Sequence, residues 1–158
     1  MLDALAFRQV MGTFPTGVTV VAALDGAGAP VGLTVNAFTS VSLEPPMVLV
    51  CIDRGASSHD VLLEAGSFTV SILAAEQEPL AKRFAVDPSA ERFDGVDWRP
   101  GPTGAPVLEG AAGWLACTVD AVHPGGDHTI LVGRVRDGEG EDGAALVFHR
   151  GSFGSTAP

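Results

Sequence analysis

Large apolar residues recur at Phe7, Val10, Met11 and Phe14. That i, i+3, i+4, i+7 spacing gathers four side chains on one face of a helix. Asp3 is placed to cap this helix and Gly12 to stop it. The period changes from residue 17. Residues 17–24 are β-branched and apolar, 25–30 carry turn chemistry, and 31–38 read as a second strand, so 17–38 predicts a hairpin. Residues 47–52 form a short unbroken apolar run, expected as a strand buried on both faces.

The next stretch predicts a short helix over 61–65, capped by Ser57 or Ser58 and ended by Gly66. Residues 67–73 alternate, as in a strand with one packed face, and 76–84 read as a helix with Pro79 in its first turn. Residues 86–106 are broken by Pro and Gly and are expected as a long ordered loop with a functional or interface role. Strands at 113–122 and 129–136 flank a hairpin loop at 123–128, an acidic turn spans 138–143, and 144–149 is a last strand. Six or more hairpin-connected strands with short helices predict a mainly β fold, a small closed β-barrel with peripheral helices, as one domain over 1–158.

Composition narrows the function. Nine Lys and Arg against nineteen Asp and Glu give a formal net charge of −10. That balance argues against a nucleic-acid partner, whose phosphates are bound by clustered cations, and against a basic membrane-surface segment. Any anionic ligand has to be held by local donors. No apolar stretch is long enough to predict a membrane span, and the first residues lack a signal peptide's basic and apolar regions. Cys51 and Cys117 sit in apolar runs and are expected as reduced thiols in a cytoplasmic protein.

The absent motifs are GxxxxGK[ST], HExxH and GxSxG. Three segments stand out instead. Residues 32–46 contain Thr34, Asn36, Thr39, Ser40 and Ser42, a density of small donors that can hold a flat polar heterocycle or a phosphate without net charge, or serve local backbone bonding. Ser57 and Ser58 stand at a helix start, where they can meet phosphate or simply cap. His128, beside Asp127 at a hairpin mouth, can polarise a bound carbonyl or amide, or stand in solvent.

These segments occur in one order with others: PTGVTVV at 15–21, GLTVNAFTSVSLEPP at 32–46, SSH at 57–59, FTVSIL at 68–73 and RFA at 83–85. RFDGV at 92–96 with Trp98, GDHTI at 126–130 and FHRG at 148–151 complete the set. Over nearly its whole length the chain resembles the short-chain flavin reductase family, FMN-binding split-barrel reductases that supply two-component monooxygenases. The resemblance implies a Greek-key split barrel, a homodimer, FAD or FMN near the subunit interface, NADH or NADPH as reductant, and a monooxygenase that receives reduced flavin. It further implies that Thr34, Val35, Asn36 and Ala37 line the flavin ring edge, and that Ser40, Ser57 and Ser58 face the phosphate. Cys51 and Asp53 would lie on the adjoining strand end, Arg83 and Phe84 close over the flavin, and His128 contact the nicotinamide with Phe148 nearby. Ala145, Ser152 and Phe153 depart from the family, whose members often carry Pro, a basic residue and Tyr there. A pyridoxamine-phosphate-oxidase-like enzyme, or a non-catalytic flavin- or haem-binding barrel, would share the fold.

Overall fold

The computed structural model describes residues 1–156. Asp3 caps the first helix, α1 (Ala4–Gly12), its carboxylate accepting from the Ala6 N–H at 2.8 Å. Five strands follow: β1 (Thr16–Gly17), β2 (Thr19–Leu24), β3 (Pro30–Val35), β4 (Phe38–Leu43) and β5 (Pro46–Asp53). The β2–β3 turn is built by Asp25, whose Oδ1 accepts from the N–H groups of Ala27 and Ala29. Next come α2 (His59–Glu64), β6 (Ser67–Ile72), a 3₁₀ turn (Ala75–Gln77) running into α3 (Glu78–Val86), and a second 3₁₀ turn (Ser89–Glu91). The last third is β7 (Trp98–Pro100), β8 (Pro106–Leu108), β9 (Gly113–Gly125), β10 (His128–Gly140), β11 (Leu146–His149) and β12 (Ser152–Ser155).

Seven strands form one antiparallel sheet in the order β3-β2-β6-β9-β10-β5-β4. Its two edge strands, β3 and β4, are joined only by Asn36 and Ala37. Three residue steps span no more than about 11 Å, so the sheet must roll until its edges meet at that corner. Val21, Leu33, Val50, Val70, Cys117 and Leu131, one from each of six strands, accordingly pack into a single core with Phe68 and Leu62. Burying each large side chain of this kind contributes roughly 1.5–3 kcal/mol. A second apolar cluster, centred on Phe84, Leu73, Leu108 and Leu146, lies under α3.

Several predicted elements change character. Residues 47–52 are not buried on both faces: Val48, Val50 and Ile52 face the core, while Met47, Leu49 and Cys51 are only half-buried. Residues 67–73 show the reverse. β6 lies in mid-sheet between β2 and β9, and its polar positions are buried too, because Thr69 donates to the Pro106 carbonyl and Ser71 accepts from the Leu108 N–H at 3.1 Å. Ser58 stands at the start of α2 but makes no capping bond. The stretch 86–106 is less loop-like than its composition predicts, since it holds a 3₁₀ turn and β7. The chain beyond 144 forms two strands, and β1, β11 and β12 make a separate three-stranded sheet. The largest departure is α1. Phe7, Val10 and Met11 share one face of the helix, but Phe14 lies two residues past its end, and the four are 55, 58, 49 and 66% exposed in that order.

Candidate active site

Parity along β5 decides where a site can form. Successive side chains of a strand point to opposite faces, so with Val50 and Ile52 in the core, Leu49, Cys51 and Asp53 look outward. Above that outer face, α1 and the β11–β12 hairpin wall off a cavity of about 660 Å³. Leu49, Cys51, Thr39, Ala37, Asn36 and Phe148 line it, with Arg8 and Arg150 also in its wall. The size suits a small-molecule site. It lies on the outside of the rolled sheet, not in its mouth, because the interior is filled by the core.

His128 belongs to the same face. It stands directly opposite Asp53 across the β10–β5 pair, and Ile130 opposite Cys51. Cross-strand partners share a face, which sets His128 one pleat, roughly 7 Å, along the sheet from the cavity wall at Cys51. Its Nδ1 donates to Asp127 Oδ1 at 2.7 Å. Asp127 is held below the ordinary carboxylate range chiefly by that hydrogen bond, then by the charge of His128, with a smaller push from Arg8 on α1. The turn after β5 closes the same end: the Arg54 N–H donates to the Asp127 carbonyl at 3.0 Å, and the Ala56 N–H to the Asp53 carbonyl at 3.0 Å.

The corner at Asn36 and Ala37 supplies donors. Their carbonyls accept from the Phe38 and Cys51 N–H groups, but among the described residues their own N–H groups have no backbone acceptor. An unpaired amide at a cavity wall is open to a ligand. Flat apolar walls, two free amides and a histidine on the same face fit a heteroaromatic ring with polar edges. They contain no nucleophile–base pair, and among the described residues no cluster of three His, Cys, Asp or Glu could hold a metal ion.

The remaining predicted site residues are placed elsewhere. Thr34 donates to the Ala81 carbonyl on α3 at 2.7 Å, and Val35 is buried in the main core, so neither side chain lines the cavity. Ser40 is exposed and paired with Val48, on the opposite face of β4 from Thr39, and it is Thr39 that lines the cavity. Phe84 is fully buried, edge-on to Phe93 at 4.9 Å between ring centroids, and cannot close over a ligand in this arrangement. Arg83 is turned to the Glu91 carbonyl at 3.0 Å. Ser57 is exposed at the start of α2. Ser58 is fully buried, donates to the Gly32 carbonyl at 3.3 Å and accepts from Arg92 at 3.4 Å. Asp53 is exposed and accepts from the Gly55 N–H at 2.7 Å.

The cavity also contains residues that sequence patterning assigns to other work. Met11 and Phe14 read as part of a helix's apolar stripe, Leu49 reads as core, Arg8 falls in no motif, and Arg150 lies in FHRG with no role assigned to it. The available signal for Arg150 is its setting in FHRG, since an arginine before glycine in a strand-to-strand turn is an unusual choice.

Comparison with known proteins places the chain among its relatives. The model of the flavin reductase like domain matches residues 11–157. A probable flavin reductase of Rhizobium meliloti is 40% identical over 97% of the chain, which spans only 49% of that relative. The flavin-dependent monooxygenase reductase subunit HsaB of Rhodococcus jostii is 38% identical over 99% of the chain and 80% of its own length. Among solved structures, the NADH:FAD oxidoreductase SgcE6 of Streptomyces globisporus, in complex with NAD and FAD fragments, superposes with a TM-score of 0.92 at 42% identity, over 99% of this chain and 94% of that one.

Proposed function

The chain belongs to the flavin reductase like domain family, and from that premise we propose that it is an NAD(P)H-dependent flavin reductase that reduces FAD or FMN and supplies it to a partner monooxygenase. One observation carries the reading: the outer face of β5 joins an apolar cavity, the free amides of Asn36 and Ala37, and His128 on a single surface. When bound, the flavin supplies the acceptor for a hydride from reduced nicotinamide. The chain's share is positioning, which can account for a large part of a bimolecular barrier. The amides of Asn36 and Ala37 would hold the polar edge of a bound flavin ring and favour negative charge on it. Leu49 and Phe148, in the cavity wall, would exclude water from it. With Nδ1 bonded to Asp127, Nε2 of His128 is left to hydrogen-bond the nicotinamide carboxamide. Ser57, exposed beside this end of the sheet, is the proposed contact for the phosphate of FMN.

The partner reading draws on HsaB, itself the reductase subunit of a flavin-dependent monooxygenase. The apolar face that α1 leaves open supports a homodimer, with a second copy covering Phe7, Val10, Met11 and Phe14 and bordering the cavity that Met11 and Phe14 line. Both cysteines are free thiols, which supports a reducing cytoplasm; among the described residues no helix is long and apolar enough to cross a membrane. The test is direct. Purified protein mixed with NADH or NADPH and catalytic FAD or FMN in air oxidises the nicotinamide, followed by loss of its near-ultraviolet absorbance. No loss with any of the four pairs overturns the reading.

A further inference from the structure

His149 pairs with Ser152, so β11 and β12 are joined by a two-residue loop, Arg150–Gly151. Both residues have left-handed backbone, φ +50° and +76°. That is the type I′ pattern, which favours Asn, Asp or Gly at its first position. Among the described residues Arg150 is the only non-glycine with positive φ. Unfavourable backbone persists where the surroundings hold it and clusters at functional sites. Here the Arg150 N–H is fixed to the Gly12 carbonyl at 2.9 Å, at the end of α1.

The side chain has a matching partner. Of the nine Lys and Arg, only Arg8, Arg54 and Arg150 make no side-chain hydrogen bond or ion pair among the described residues. Two of these three, in a protein of net charge −10, border the candidate site. They also border a second recess of about 520 Å³ that shares Arg8, Gly12, Arg150 and Gly151 with the first. Arg8 and Arg150 therefore stand at the junction of two recesses, one walled by ring-sized apolar surface and one beyond it.

We propose that Arg8 and Arg150 form a clamp for the diphosphate of an adenine dinucleotide, whose ring half lies in the apolar cavity and whose adenosine half extends into the second recess. This rests on the reductase reading for the identity of the ring. FAD and NADH share the required chemistry: a diphosphate at the junction of two heterocyclic halves. Guanidinium forks bind such oxygens in pairs, and two of them balance the charge.

The probe is ADP, the part both dinucleotides share, titrated by calorimetry into the parent, Arg150→Asn and Arg8→Gln. The parent binds, and each variant binds at least tenfold more weakly. Arg150→Asn also keeps or raises the melting temperature, because asparagine suits the turn, whereas a merely structural arginine would lower it. Parallel kinetics locate the source. A loss with FAD but not FMN assigns the clamp to the flavin; a loss with NADH that is smaller with uncharged 1-benzyl-1,4-dihydronicotinamide assigns it to the reductant. Equal ADP affinity in all three proteins, no ADP binding by the parent, or a drop in melting temperature that tracks the loss of binding overturns the clamp. A parent that binds ADP through both arginines but oxidises no reduced nicotinamide overturns only the reductase reading.

Discussion

Nδ1 of His128 and Oδ1 of Asp127 lie 2.7 Å apart at the tip of the β9–β10 hairpin, opposite Asp53 on β5. The carboxylate fixes which nitrogen carries the proton and so which one faces a partner. His128→Ala removes one hydrogen-bonding group and leaves the strand pairing in place. Turnover per KM for NADH falls roughly tenfold, the equivalent of one net hydrogen bond at about 1.4 kcal/mol, while flavin affinity by fluorescence titration stays near the parent's. Unchanged NADH kinetics would remove His128 from the site.

Adjacent serines divide their roles. Ser58 is buried with its hydroxyl between the Gly32 carbonyl and the Arg92 guanidinium, so Ser58→Ala lowers unfolding stability by about 1 kcal/mol. Ser57 is exposed, so Ser57→Ala leaves stability within about 0.5 kcal/mol but weakens FMN binding several-fold. Denaturant melts and FMN titrations of the two variants separate the roles; equal FMN affinity for Ser57→Ala and the parent takes Ser57 off the phosphate.

The two thiols differ by location. Burial pushes the Cys117 thiol up to about 12 from its ordinary 9.0, whereas Cys51 lines the cavity. Iodoacetamide labels Cys51 alone in the native protein and both after unfolding, and added flavin slows the native reaction. Folding keeps Cys117 neutral, so above about pH 9 the unfolded chain binds fewer protons and stability falls until about pH 12. In Cys117→Ala that contribution is absent, so its stability deficit against the parent shrinks across that window in pH-dependent denaturant melts. A constant deficit shows the thiol does not titrate as described.

Gly133 has no room for a methyl group. A Cβ there would sit 2.5 Å from Cζ of Phe68 and 3.0 Å from Cβ of Cys117, both fully buried. Overpacking of this kind costs about 1–3 kcal/mol or more. Gly133→Ala lowers the melting temperature by several degrees, measurable by circular dichroism; a neutral effect would mean the Phe68 ring can move aside.

Phe14, just past the end of α1, continues the exposed apolar face of Phe7, Val10 and Met11. Phe14→Asp places a charge on a face that a second copy would bury, and an unpaired buried charge is costly. Sedimentation shows a dimer for the parent and a monomer for the variant, with flavin affinity reduced because Phe14 also lines the cavity. Parent protein that sediments as a monomer rules out the second copy.

Local patterning was enough for α1, the β2–β3 hairpin and the long β9–β10 pair, because cap, turn residue and period agree there. It misjudged burial wherever the neighbours decide it. Thr69 and Ser71 look solvent-facing by alternation but meet β8, and Phe7 and Val10 look like core but face away from it. The site followed the same division. Asn36, Ala37, Cys51 and Phe148 line one cavity, while Thr34, Ser58 and Phe84, each in a motif of the same ordered set, serve the packing of α2 and α3. Arg8 and Arg150 are 142 positions apart, and only the fold of α1 against the last hairpin brings them to one cavity.

The alternation of β5 has a consequence for how such a protein can diversify. Odd-numbered positions (Leu49, Cys51, Asp53) touch the site side, and even-numbered ones (Val48, Val50, Ile52) hold the interior. Selection on cofactor preference can therefore revise one set of residues while the other is inherited unchanged. A single strand thus carries two nearly independent evolutionary records, interleaved residue by residue.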